Sequence, residues 1–154
     1  MTDRAFVLPP GGGRSIDLGN FAMTVKAASE DTAGGFSLLE AVEPPGFGPP
    51  LHIHRDAAEA FYVLEGEYRI FLGDDEFACP AGSFVYIPIG QLHGFRVGGT
   101  QSRKLNLYLP AAMVGYFDEL SAMIAAGSAD DGAVDAIGRR YGVDVIGPVP
   151  EGYI

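Results

Sequence analysis

Short apolar segments, several alternating with polar residues, recur along the first two thirds of the chain. They are rich in β-branched and aromatic residues, which is typical of β-strands. Turn-forming groups such as Gly73-Asp74-Asp75 and Pro80-Ala81-Gly82 separate them. The predicted strands cover residues 21–26, 36–42, 51–54, 61–64, 68–72, 83–87, 93–97 and 104–109. Many short strands at close spacing favour an all-β sandwich or small barrel over a sheet of alternating strands and helices.

The pattern changes after residue 110. Apolar residues now recur at spacings of three and four, which predicts one buried face of a helix that ends at Gly127; they are Met113, Phe117, Leu120 and Ile124. Pro110 fits the first turn of this helix. A second, shorter helix fits residues 130–141, with Ser128 as its cap and Gly142 after its end. We therefore expect one domain over residues 1–154, with a barrel over about 20–110 and helices over about 111–142.

Composition and charge narrow the classes of partner. Of 154 residues, 47% are hydrophobic and 19% charged, which is typical of a folded globular chain. The formal net charge of -10 disfavours binding to nucleic acid and to anionic membranes. The sequence shows neither a membrane-length apolar run nor a signal pattern, so we expect a cytoplasmic protein. The single cysteine, Cys79, allows no intrachain disulfide and is interpreted as a buried thiol.

The candidate chemistry lies in the histidines, of which the chain has three. His52 and His54 flank Ile53, and alternate residues of a strand point to one face. Glu59 follows after a four-residue turn, and His93 comes about 40 residues later. A single histidine on an apolar strand is usually an ordinary packed or surface residue. Here three imidazoles and one carboxylate occupy mutually consistent positions, and such a set suits Fe, Mn, Ni, Cu or Zn.

The glycines and prolines around these residues complete two motifs. The first runs Gly46-(five)-His52-x-His54-(four)-Glu59-(six)-Gly66, and the second runs Gly82-(five)-Pro88-x-Gly90-(two)-His93. Both resemble the signature motifs of the cupin superfamily. The resemblance implies an all-β double-stranded β-helix, or jelly roll, with a short C-terminal helical segment. It also implies one divalent metal inside the barrel mouth, iron being our first expectation, with His52, His54, Glu59 and His93 as its ligands. One position departs from the family pattern, because Val97 stands where the second motif usually has Asn.

Strand alternation suggests which side chains line a pocket. If Glu59 points inward, Phe61 does too, and if His93 points inward, Phe95 lies beside it. Phe47 lies in the loop before His52 and could cover the mouth. These three phenylalanines are the candidate substrate contacts, although an aromatic ring in a jelly roll more often serves as core packing. Tyr62, Tyr68 and Tyr86 are further acid–base candidates if their side chains point inward. Arginines are scattered, so nothing resembles a phosphate clamp.

Three classes of function remain open at this stage. The chain is similar to small bacterial cupins likened to quercetin dioxygenases, which implies an oxygenase acting on a small apolar or aromatic compound. In that reading Glu59 is both a metal ligand and a catalytic base. A non-oxidative isomerase, lyase or polyketide cyclase would use the same site as a Lewis acid. A small-molecule-binding protein without turnover is the third alternative. The resemblance also implies a homodimer.

Overall fold

The structure is a computed structural model that describes residues 3–148. Two α-helices and one short 3-10 helix (Ser29–Asp31) accompany the strands in this part of the chain. The strands are β1 (Arg14–Asp17), β2 (Ala22–Ala27), β3 (Ser37–Glu43), β4 (Leu51–His54), β5 (Ala58–Glu65), β6 (Glu67–Leu72), β7 (Asp75–Pro80), β8 (Phe84–Ile87), β9 (His93–Val97), β10 (Ser102–Leu109) and β11 (Val143–Gly147). The helices are α1 (Val114–Ala125) and α2 (Asp131–Arg140).

The strands form two antiparallel sheets. One has the order β1-β2-β3-β10-β5-β8 and the other β11-β4-β9-β6-β7. Several pairs of consecutive strands lie in different sheets, among them β4 and β5, β7 and β8, and β9 and β10. The chain therefore crosses repeatedly between the two layers. This is the jelly roll that the sequence predicted, and the inward side chains of both sheets fill its lumen.

Two apolar clusters occupy the interior. One lies where β2, β3 and β10 meet the C-terminal helices and includes Met23, Leu39 and Tyr108. The other fills the opposite part of the barrel and includes Phe61, Tyr68 and Phe95. Inward and outward residues alternate along β3 and β10, as expected for strands with one buried face. The functional residues described below lie between these clusters.

The two predicted helices are present and pack on the barrel of their own chain. Phe117, Leu120 and Ile124 of α1 lie against the first cluster. Arg14 of β1 pairs with Asp118 of α1 through two hydrogen bonds of 2.7 and 3.0 Å. No helix among the described residues is both long enough and apolar enough to cross a membrane. The C-terminal segment thus closes one side of the barrel.

The ends of the helices differ from the prediction in detail. Helix α1 begins at Val114 with Met113 as its N-cap, so Pro110 precedes the helix instead of occupying its first turn. The cap of α2 is Asp130, whose side chain accepts a hydrogen bond of 2.8 Å from the backbone N–H of Ala133, and the predicted cap Ser128 was wrong. Asp130 has the extended backbone that a cap requires, and it stands immediately before the first helical residue.

Three strands were not predicted, namely β1, β7 and β11. Strand β7 begins within the Gly73-Asp74-Asp75 group and ends at Pro80, so its ends resemble turns in the sequence. It is an edge strand with mainly exposed side chains, including Phe77 at 48%. Edge strands of this kind lack the alternation that identifies a half-buried strand. Strand β11 follows α2 and pairs with β4, which carries two of the candidate ligands.

Candidate metal centre

The four candidate ligands come from both sheets. His52 and His54 lie on β4, and His93 is the first residue of β9. These strands are neighbours, and His52 stands directly opposite His93 in their register. Glu59 comes from β5 in the other sheet and reaches across the lumen. One nitrogen or oxygen atom from each of the four residues lies within 4.8 Å of the others.

The cluster is tight and mostly shielded from water. The Glu59 Oε2 atom lies 3.1 Å from Nε2 of His54 and 3.0 Å from Nε2 of His93. Glu59, His54 and His93 are buried, whereas His52 is half-buried and faces the opening. A buried group of three imidazoles and one carboxylate suits a divalent transition metal, because neutral nitrogen and anionic oxygen are the ligands these ions take.

Backbone carbonyls set the orientation of two of the rings. Nδ1 of His52 lies 2.8 Å from the carbonyl oxygen of Pro50, and Nδ1 of His93 lies 2.8 Å from that of Gln91. A carbonyl oxygen only accepts hydrogen bonds, so each Nδ1 carries a proton and donates it. The Nε2 atom of each ring then faces the cluster, where its lone pair is free for a cation once any proton on it has left. The donor set therefore fits a metal in both composition and orientation.

The ionisation of the cluster agrees with this arrangement. Burial alone would raise the pKa of Glu59, but hydrogen bonds from His54 and His93 and the charges of these rings hold it well below its usual range. Burial, together with the charge of the neighbouring His93, lowers the pKa of His52 to about 4. Burial opposes protonation of His93 as well, yet the Glu59 carboxylate raises the pKa of His93 overall. The cluster thus presents an ionised carboxylate and a neutral His52 at neutral pH.

An apolar cavity of about 660 Å³ opens onto the cluster. Phe47, Phe61 and Phe95 all line it, together with His52, His54 and Glu59. The ring of Phe95 lies between the other two phenylalanines, with centroid distances of 6.1 Å to Phe47 and 5.9 Å to Phe61. The C-terminal helices supply another wall of the cavity, through residues that no sequence pattern placed there: Phe117, Leu120, Ile124 and Val134.

The three tyrosines proposed as acid–base candidates lie elsewhere. Tyr62 and Tyr86 are 45% and 55% exposed on the outside of the barrel, so neither hydroxyl reaches the lumen. Tyr68 is fully buried, but its hydroxyl donates a hydrogen bond of 2.9 Å to Oε1 of Glu43. Burial raises the pKa of Tyr68 strongly, with the Glu43 charge adding to the effect.

Sequence reasoning missed a second polar group inside the lumen. Lys104, Asn106 and Tyr108 of β10 are all buried and all line the cavity. The available signal was the alternation in residues 102–109, where Ser, Lys, Asn and Tyr occupy every second position. Leucines at three of the four intervening positions suggest that the polar face points outward, but in the structure it points inward.

Comparison with known families finds a match within the barrel. Residues 38–107 match the family model described as a cupin domain, and this span contains all four candidate ligands. Over these residues the chain is similar to a cupin domain. The match begins in β3 and ends in β10, so it covers the barrel strands that position the ligands, while α1, α2 and β11 lie outside it.

Individual relatives differ in what they do. The chain is 25% identical over 115 residues to quercetin 2,3-dioxygenase of Bacillus subtilis, a match that covers 75% of this chain and 34% of that protein. The chain therefore spans about a third of that relative's length. Among solved structures, the polyketide cyclase RemF from Streptomyces resistomycificus is 26% identical, with a TM-score of 0.56 over 71% of this chain and 80% of its own.

A third comparison supports the fold alone. An RmlC-like cupin from Shewanella frigidimarina superposes with a TM-score of 0.62 at 18% identity, over 72% of this chain and 96% of its own. The two solved structures thus share the barrel with this chain, while the named relatives include a dioxygenase and a cyclase.

Proposed function

We propose that this protein is a metal-dependent enzyme that acts on a small apolar or aromatic compound, with dioxygenase chemistry of the kind named for the Bacillus subtilis relative. The observation that carries the proposal is the convergence of four ligand atoms at the end of an apolar cavity. A cavity of about 660 Å³ is within the range that small-molecule sites occupy.

In this proposal His52, His54, Glu59 and His93 hold one divalent ion, for which iron is the first candidate and Mn, Ni, Cu and Zn fit the same ligands. One carboxylate against a divalent ion leaves a net charge of about +1, which favours an anionic substrate oxygen. When bound, such an ion supplies Lewis acidity to that oxygen and, if it is redox-active, the electron-transfer chemistry that oxygen needs.

The remaining tasks fall to the chain's own side chains. Glu59 is the carboxylate of the ligand cluster and lines the cavity, so it is the residue proposed to take the proton from a substrate hydroxyl. Phe47, Phe61 and Phe95 would hold the apolar part of the substrate. The α1 residues Phe117 and Leu120 close the far side and exclude water, which strengthens electrostatic interactions at the ligands.

A non-oxidative reaction is the second candidate. The match to the polyketide cyclase RemF covers 80% of the RemF chain, whereas the match to the dioxygenase covers 34% of the dioxygenase. A cyclase or another Lewis-acid enzyme would use the same ligands and the same cavity without consuming oxygen.

Oxygen uptake separates the two candidates. The protein is loaded with iron or copper and supplied with flavonols and linear 1,3-diketones, while dissolved oxygen and substrate absorbance are recorded together. The dioxygenase proposal predicts that oxygen uptake depends on substrate and that Glu59→Gln abolishes it. Glu65→Gln is the control and should keep this activity, because Glu65 lies at the exposed end of the same strand. Substrate conversion at equal rates with and without oxygen would contradict it and support the second candidate.

We also propose a homodimer. The outer face of edge strand β8 exposes Phe84 at 66% and Tyr86 at 55%, and Tyr62 of the neighbouring strand β5 lies opposite Phe84. Aromatic residues on an open sheet edge favour association with a second copy. Light scattering should give twice the chain mass for the native protein and one chain mass for Phe84→Asp. A native mass of one chain would contradict this proposal.

A further inference from the structure

The inward face of β10 is polar over four successive inward positions, which is unusual for a strand in the middle of a sheet. Strand β10 lies between β3 and β5, and its residues Lys104, Asn106 and Tyr108 are 0%, 4% and 2% exposed. Burying a cation, an amide and a phenol is unfavourable unless each finds a hydrogen-bond partner. The partners they find connect the inner end of the lumen to the candidate ligands.

Lys104 begins this connection. Its Nζ atom lies 2.9 Å from Oε1 of Glu43 and donates a hydrogen bond of 2.8 Å to Oδ1 of Asn106. The rings of Phe61 and Phe95 also face the ammonium group, at 4.8 and 4.4 Å from their centroids. An ammonium group has three donors and no acceptor, so the atom of Asn106 that it contacts must be the amide oxygen. The orientation of the Asn106 amide is therefore set by Lys104.

Tyr108 continues the connection. With the Asn106 oxygen turned toward Lys104, the amide nitrogen of Asn106 can only donate. Tyr108 follows Asn106 on the same inward face of β10, and its ring centroid lies 5.7 Å from that of the candidate ligand His54. Tyr108 stands directly opposite Glu59 in the register between β10 and β5, so the two side chains are cross-strand neighbours. From this position the phenol oxygen can accept a hydrogen bond from the Asn106 amide and donate its single proton to the Glu59 carboxylate.

We propose that Lys104, Asn106 and Tyr108 form a one-way hydrogen-bonded chain that positions the Glu59 carboxylate from behind, so that Lys104 is a positioning residue for the metal centre. Every donor and acceptor along the chain is determined once the lysine is placed at its start. The positioning role rests on the proposed metal site. The hydrogen bonds themselves are expected in the metal-free protein as well.

The first test needs no metal. Because Tyr108 is buried, its hydroxyl proton should exchange slowly enough to be seen by proton NMR, and its loss in Tyr108→Phe assigns it. The pair Lys104→Met with Glu43→Gln removes both buried charges together, and Asn106→Asp keeps the acceptor for Lys104 but loses the donor to Tyr108. Both variants should move this resonance, while Arg103→Met, at the neighbouring outward position, should leave it in place. An absent resonance, or one that neither variant moves, would overturn the proposal.

The second test asks whether the hydrogen-bonded chain affects the metal ligands. Co²⁺ is titrated into each variant and its visible absorption bands are recorded. Tyr108→Phe and Asn106→Asp should shift the bands and weaken Co²⁺ affinity about 10–100-fold, the usual effect of removing a group that orients a ligand. Arg103→Met should match the native protein. Native bands and affinity in both variants would overturn the positioning role while leaving the metal site intact. Failure of the native protein to bind Co²⁺ would refute the metal site and, with it, the purpose assigned to the chain.

Discussion

The buried pair of Lys104 and Glu43 permits a quantitative prediction about stability. The two side chains meet at 2.9 Å, and their exposed fractions are 1% and 3%. Lys104→Met keeps the length of the side chain and removes its charge, which leaves the Glu43 carboxylate with the Tyr68 hydroxyl as its remaining hydrogen-bond donor. Loss of one partner from a buried ion pair costs about 3–5 kcal/mol, because the other charge stays desolvated and unpaired.

The ion pair between Lys104 and Glu43 also predicts that a second substitution restores the lost stability. When Glu43→Gln is added to Lys104→Met, no buried charge remains unpaired, and the free energy of unfolding should return to within about 1–2 kcal/mol of the native value. For a chain of this size each kcal/mol corresponds to roughly 2–4 °C in Tm. Lys104→Met should therefore lower Tm by roughly 6–20 °C, and the second substitution should restore most of this loss.

Urea denaturation followed by circular dichroism measures these changes for the native chain, both single variants and the pair. Arg103→Met is the matched control, because Arg103 lies next to Lys104 and its ion pairs with Glu40 and Glu65 are partly exposed. Its loss should cost less than about 1 kcal/mol. A Lys104→Met variant as stable as this control, or a double variant that loses the sum of the two single effects, would refute the reasoning.

Three further predictions concern other parts of the molecule. Burial raises the pKa of the Cys79 thiol, so little thiolate forms at pH 8. Iodoacetamide should therefore modify the folded protein far more slowly than the urea-unfolded protein, and equal rates would contradict this prediction. Gly48→Ala should destabilise the fold by about 1–3 kcal/mol, because the added methyl group would collide with the backbone carbonyl of Phe95, whereas Gly99→Ala meets nothing and should be neutral in the same denaturation assay. If the metal centre is correct, saturation at about a thousand times Kd should raise stability by about 4 kcal/mol, and a chelator should reverse the rise in Tm; an unchanged Tm would count against it.

The parts of the fold that were predictable are those with local signals. Strands 51–54 and 93–97 have the predicted bounds, because each follows a proline- or glycine-containing turn closely in the sequence. His52, His54 and Glu59 are close together in sequence, and the resemblance of the second motif adds His93, so these two signals were enough to predict the four residues that the structure brings together. The inward direction of Phe61 and Phe95 followed from the same alternation.

The features that the sequence did not predict depend on tertiary contacts. The apolar stripe of α1 indicates that the helix packs, but only the structure shows that Phe117 and Leu120 complete the wall of the cavity. Lys104 belongs to a residue type that is usually exposed, and its burial depends on Glu43, which lies on β3, far from β10 in sequence but next to it in the sheet. No local pattern reports such a pairing, because its partners meet only once the sheet has formed.

Metal content tests the central claim most directly. The protein is purified without a tag, loaded with a single divalent transition metal, freed of unbound ion and analysed for metal per chain. The account predicts about one ion per chain in the native protein and in Arg103→Met, and a large loss in His54→Ala and His93→Ala, each of which should keep its native circular dichroism. Native protein without bound metal, or full metal content in either histidine variant, would contradict the account.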